Sequence, residues 1–130
     1  MKIPLRRLRR QAFGSLVMRP LPLAADKFGV SLIHERLRPR AVTPSIYHRL
    51  THEAIFVIKG RATMRLDGKR VSVKAGDTLL IPPGMEHAIV TGREGVEALS
   101  LFSPAMDPRR PDVHPAQGGM KIKAKRKRRL

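Results

Sequence analysis

From residue 29 onward, apolar and polar positions alternate in short runs separated by Gly, Pro and Asp, a pattern that predicts strands rather than helices. Residues 30–37 alternate along one face and stop at Pro39 and Arg40. A second run covers residues 45–49. A third covers 53–59, where Ala54, Ile55, Phe56, Val57 and Ile58 are apolar enough to be buried, and Gly60 is expected to end it. Residues 62–66 and 70–73 flank Asp67 and Gly68, the strongest hairpin signal in the chain. Residues 74–77 read as a turn, 78–81 as a strand, and Pro82, Pro83 and Gly84 as another turn. Strands over 87–90 and 96–102 close the series. No helix and no internal repeat is predicted, so the fold class is all-β, a single barrel or sandwich.

The two ends depart from this pattern. Up to residue 25 there is no Asp or Glu, while Lys2, Arg6, Arg7, Arg9 and Arg10 alternate with Leu5, Leu8 and Phe13. An organelle transit peptide has this composition, but Pro4, Pro20 and Pro22 interrupt any long helix, and residues 14–18 are a candidate first strand. A basic lead-in over residues 1–25 is the favoured reading. After Ser103, Pro104, Pro108, Pro111 and Pro115 fall within twelve residues, and Gly118 and Gly119 precede a run of basic residues. Such a segment buries too little apolar surface to offset its ordering entropy. The expected organisation is therefore a barrel over 26–104 and a Pro-rich exit with a disordered basic tail over 105–130, its last twenty or so residues mobile.

Composition narrows the function. A chain of 130 residues supports one domain with a real core. Its net charge of +17 suggests a polyanion partner until its location is considered. Residues 1–10 carry five basic residues and 121–130 carry seven, whereas 11–120 hold fifteen basic and ten acidic residues, a net +5. The body is only mildly basic. One Tyr, four Phe and no Trp argue against base stacking as a binding mode. Without Cys there is no disulfide, no thiolate-bound zinc and no thiol nucleophile, which leaves His and carboxylate as the strong metal ligands. No apolar run reaches the roughly 20 residues of a membrane helix, and the start lacks a secretory signal. The expectation is a cytoplasmic protein without membrane contact.

His48 and Glu53 lie across a short loop, one at a strand end and the other at the next strand's start, and His87 opens a later strand. Two imidazoles and a carboxylate converging from three strands suit a divalent transition metal: Fe, Mn, Ni or Zn.

These residues sit in a recognisable setting. His48, Arg49, Leu50, Thr51, His52 and Glu53, followed after six residues by Gly60, resemble the second half of the first cupin motif. The stretch from Gly76 through Pro82 and Gly84 to His87 is similar to the second motif at its Gly, Pro, Gly and His positions. Together the two stretches resemble a small single-domain cupin of the conserved-barrel group, which implies a jelly-roll barrel, also called a double-stranded β-helix. Cupins usually hold metal with three His and one Glu. Carried over, His48 matches the second His, Glu53 the Glu and His87 the last His, but Ile46 stands where the first His belongs. The first motif's opening Gly is Arg40, and the Asn that often ends the second is Thr91. Two readings follow: a metal on two His and one Glu with more open positions, or a pocket that binds an organic ligand without metal.

Other polar residues are weighed against this set. His52 should point away from Glu53 by strand alternation; it and His34 read as non-ligands, and His114 as unconnected to the barrel. Tyr47 is expected to face away from His48. Arg36, Arg38, Arg40, Arg49, Arg61 and Arg65 suit either an anionic small molecule or a solvated edge that discourages unwanted pairing, the second reading being favoured. Residues 121–130 suit weak, nonspecific contact with nucleic acid.

The resemblance implies a metal-dependent enzyme on a small molecule, of dioxygenase, isomerase or decarboxylase type, without assigning a catalytic residue. The alternative is a non-catalytic ligand-binding or regulatory cupin whose tail contacts nucleic acid or an acidic partner. A homodimer is expected from either.

Overall fold

Ten strands carry nearly all the regular structure of the computed structural model, which describes residues 1–117. Strands β1 (Gln11–Phe13) and β2 (Leu16–Pro20) form a hairpin around Gly14, whose φ of 59° suits a residue without a Cβ. The candidate first strand over 14–18 is therefore the turn and the first half of β2. The helical pieces are a 3₁₀ turn at Leu5–Arg7 and one turn, α1 (Ala25–Phe28), closed by Gly29 at φ 71°. Then follow β3 (Ser31–Leu37), β4 (Ile46–Tyr47), β5 (His52–Leu66), β6 (Lys69–Lys74), β7 (Thr78–Ile81), β8 (His87–Val90), β9 (Val96–Ser103) and β10 (His114–Pro115).

All pairings are antiparallel, in the order β1-β2-β3-β9-β5-β8-β4-β10, with β6 and β7 also on β5. The long β5 belongs to both walls of the curled sheet. Its first half pairs with β9 and β7, and its second half with β6 and β8. Gly60, expected to break this strand, instead lets it continue. At φ 79° its missing Cβ leaves room for Gly95 O, which would stand 2.0 Å from an added Cβ. A register shift between Val57 and Lys59 then changes which residues face inward. Glu53, Ile55 and Val57 are buried before it, and Ala62 and Met64 after it.

The core that this alternation builds comprises Ile55, Val57, Ala62, Met64, Val73, Ile81 and Ala98, with Leu16, Leu37 and Ala41 as a second cluster. Each large aliphatic among them contributes about 1.5–3 kcal/mol on burial. The apolar run 54–58 is not buried throughout, because alternate side chains face outward: Phe56 is 47% and Ile58 41% exposed.

The exit segment also differs from expectation. Through Gln117 it returns to the barrel: β10 pairs with β4, Ala116 N–H donates to Ser45 O at 2.9 Å and Gln117 N–H to Glu86 Oε2 at 2.7 Å. These bonds hold the segment without an apolar core of its own. The basic run over 121–130 lies outside the described residues. Among those described, no helix is long and apolar enough to cross a membrane.

Candidate metal centre

Three elements deliver His48, Glu53 and His87 to one place. His48 follows β4, Glu53 is the second residue of β5, and His87 opens β8 beside Ile46. Because β5 and β8 belong to opposite walls at these positions, the curl of the sheet brings the three inward-facing side chains together. They are 2%, 7% and 6% exposed. His48 Nε2 lies 3.0 Å and His87 Nε2 3.3 Å from the same oxygen, Glu53 Oε1. The imidazole centroids are 5.0 Å apart, and Phe102 meets His48 edge-on at 5.5 Å.

The orientation of both rings follows from their other nitrogens. His48 Nδ1 is 2.7 Å from Asp112 O, and His87 Nδ1 is 2.9 Å from Met85 O. A carbonyl only accepts, so each Nδ1 carries the proton and donates it. Both Nε2 atoms are thereby turned toward Glu53. One ligating atom from each residue lies within 4.8 Å of the others, a set that could hold a metal ion. Nitrogen and oxygen donors anchored by backbone carbonyls fit a divalent transition metal.

The cluster favours an ionised carboxylate. Burial opposes ionisation of Glu53, but hydrogen bonds from His48 and His87 and their charges outweigh it and bring the carboxyl down to about 2. For His48, burial disfavours the cation, while the Glu53 carboxylate and the Asp112 carbonyl overcome this and raise its pKa. A carboxylate facing two imidazole edges thus occupies a site where a divalent cation can replace ring protons.

Asp112, in the Pro-rich exit, holds the loop that carries His48. Its carboxylate accepts from the N–H groups of Arg49 (2.9 Å), Leu50 (2.8 Å) and Thr51 (3.0 Å) and from the Thr51 hydroxyl (2.8 Å). Burial opposes its ionisation, but these donors and His114 hold the carboxyl well below the usual range. His114 Nε2 lies 2.8 Å from Asp112 Oδ1, and its ring lies against Tyr47 at 5.2 Å. The reading of His114 as unconnected to the barrel is therefore corrected. An acidic residue among prolines carries no motif that would reveal a contact 61 to 63 residues back along the chain.

Glu35 was also missed. It lies between Ile33 and Leu37 on the inward face of β3 and is 8% exposed. Burial, and then the Glu53 charge, push its carboxyl up to about 8, with Ser100 and His48 pulling the other way. The signal was legible in the sequence as an acidic residue on an otherwise apolar face.

The remaining residues sort as alternation requires. His52 is exposed beside buried Glu53. His34 is held by Glu97 at 2.6 Å, away from the cluster. Ile46, at the position where the resemblance implies a fourth ligand, is half-buried opposite His87. All six arginines considered above are exposed. Arg36 and Arg61 pair with Glu97 and Glu94, respectively.

Comparison with known proteins agrees with this architecture. The uncharacterized protein MJ1618 of Methanocaldococcus jannaschii is 40% identical over 42 residues, which is 32% of this chain and 34% of that one. The match spans about a third of the relative. Among solved structures, the nucleoside dehydratase Pac13 superposes with a TM-score of 0.73 at 13% identity over 89% of this chain and 90% of that one. The polyketide cyclase RemF of Streptomyces resistomycificus gives 0.72 at 19% identity, over 95% and 92%. A predicted oxalate decarboxylase of Thermotoga maritima gives 0.71 at 19% identity, over 80% and 99%. At these identities the likeness establishes the fold alone. The profile described as a cupin domain matches residues 33–102, more than half of the sequence and all three clustered side chains. With that match and a curled antiparallel barrel around His48, Glu53 and His87, this chain belongs to the cupin family.

Proposed function

We propose that the protein is a small metallocupin that binds one divalent transition metal through His48, Glu53 and His87 and, through it, an oxygen-bearing small molecule. The observation that carries this reading is the convergence of two anchored imidazole Nε2 atoms on one buried carboxylate oxygen. A bound metal would supply Lewis acidity to a ligand oxygen. The chain's residues would hold that metal, fix both rings by their Nδ1 donors and keep bulk water out with Phe102 and the core aliphatics. Reactions of isomerase, dioxygenase or decarboxylase type are the classes to screen.

Elemental mass spectrometry of the purified protein, beside His48→Ala and Glu53→Ala, tests this. Near-stoichiometric Fe, Mn, Ni or Zn that both substitutions abolish is the expected result. No metal in the wild type even after reconstitution overturns it.

Ile46 and the direct His48–Glu53 bond favour a second reading, a metal-free ligand pocket. The structure of Streptomyces Pac13 with uridine, similar in fold, supports a small organic ligand in such a barrel. In either reading we place the protein in the cytoplasm as a homodimer, with residues 121–130 making salt-sensitive contact with nucleic acid. Deleting those residues should abolish that contact.

A further inference from the structure

A second polar pair stands on the wall opposite β8. In the β3–β9 ladder Glu35 faces Ala98 and Ile33 faces Ser100, so Glu35 and Ser100 are diagonal neighbours on the inner face. In the next ladder Ser100 is opposite Ile55, and Phe102 is opposite Glu53. The pair therefore shares a continuous inner surface with the metal cluster. Its other neighbours are apolar: Ile33 and Leu37 on the same strand and Met18 across from it on β2.

Ser100 is the less satisfied of the two. Ser100 is 0% exposed, and its Oγ has no hydrogen-bond partner among the described residues. The polar group that its hydroxyl acts on is the Glu35 carboxyl. The charged groups that act on Glu35 include Glu53 and His48. Buried polar groups are normally paired, and each exception calls for an explanation.

We propose that Glu35 and Ser100 form a second binding pole, which hydrogen-bonds an oxygen of the small molecule held at its other end by the metal on His48, Glu53 and His87. The inference rests on the metal-site reading above and extends it to the ligand's chemistry. The ligand carries metal-binding oxygens at one end and a hydroxyl or carbonyl at the other. The Ser100 hydroxyl donates or accepts as the ligand requires, and the Glu35 carboxyl adds further oxygens to the same pole.

The zinc-loaded full chain is titrated with acetohydroxamate and with hydroxamates that carry a terminal hydroxyl on two-, three- and four-carbon chains. Each is also titrated against Glu35→Ala, Ser100→Ala and Glu35→Gln, with circular dichroism as the folding control. Acetohydroxamate should bind wild type and all variants within about twofold, because it engages the metal alone. One chain length should bind wild type about tenfold tighter. That gain should vanish in both alanine variants and persist in Glu35→Gln, which keeps a hydrogen-bonding group of the same length. A wild type indifferent to the terminal hydroxyl, or a gain that survives both alanine substitutions, overturns the second pole while leaving the metal site standing. Failure of wild type to bind acetohydroxamate overturns the metal-site reading and this proposal with it.

Discussion

Replacing Glu35 by Gln should stabilise the metal-free protein by an amount that grows with pH. In the native state burial raises the Glu35 carboxyl from 4.5 to about 8, whereas in the unfolded chain it titrates near its ordinary value. Between those values the native state holds a proton that the unfolded state has released, so wild-type stability falls as pH rises. Each pKa unit corresponds to about 1.4 kcal/mol, so going from pH 5 to pH 7.5 costs the wild type roughly 3 kcal/mol through this group. Glu35→Gln removes the titration and keeps the size and polarity. Glu53 has the opposite sign: with its carboxyl lowered to about 2, its stabilisation is full above its ordinary value and is lost as pH falls toward 2. It stays ionised in both proteins from pH 5 to pH 7.5, so the pH dependence of the difference comes from residue 35. Urea unfolding of EDTA-treated wild type and Glu35→Gln at pH 5, 6, 7 and 7.5 should show the variant's advantage widening by roughly 3 kcal/mol at unchanged m-value. A difference that stays constant over that range would refute the claim that burial holds the proton on Glu35.

Three further perturbations address separate parts of the structure. Asp112→Ala removes the carboxylate that fixes the loop of residues 49–51, so it should cost at least ~2 kcal/mol in urea unfolding and weaken zinc affinity by about tenfold to a hundredfold. Unchanged zinc affinity by calorimetry would mean that the loop does not position His48. Ile46→His restores the missing ligand and should tighten zinc binding by at least about tenfold in a chelator competition; no change would place that side chain off the site. On the outer face, Phe56, Leu80 and Leu101 are 47%, 71% and 38% exposed, an apolar surface suited to a second copy. Light scattering should show a wild-type dimer that Leu80→Lys converts to monomer, and a monomeric wild type would dismiss the pairing.

The strands were legible wherever local signals agreed. The Asp67-Gly68 hairpin, the strands over 78–81 and 87–90, and the outward placement of His52 follow from turn chemistry and period-two alternation, which are local properties. Two elements resisted. Gly60 looked like a break because its tolerance depends on the closeness of Gly95, a neighbour 35 residues away that no local window contains. The inward parity of β5 changes at a register shift against β9 between Val57 and Lys59, so the burial of Ala62 and Met64 does not follow by simple alternation from that of Ile55 and Val57.

By itself, then, the sequence determined the fold class and the three side chains that cluster, because residue types, motif spacings and strand period are local properties. Only the tertiary structure decided that both Nε2 atoms meet one oxygen of Glu53, that Asp112 returns from the Pro-rich segment to hold His48, and that Glu35 and Ser100 share the barrel interior. Those facts depend on how far the sheet curls and where the chain comes back to it, and such long-range closure is set by the packing of the whole barrel rather than by any segment of it.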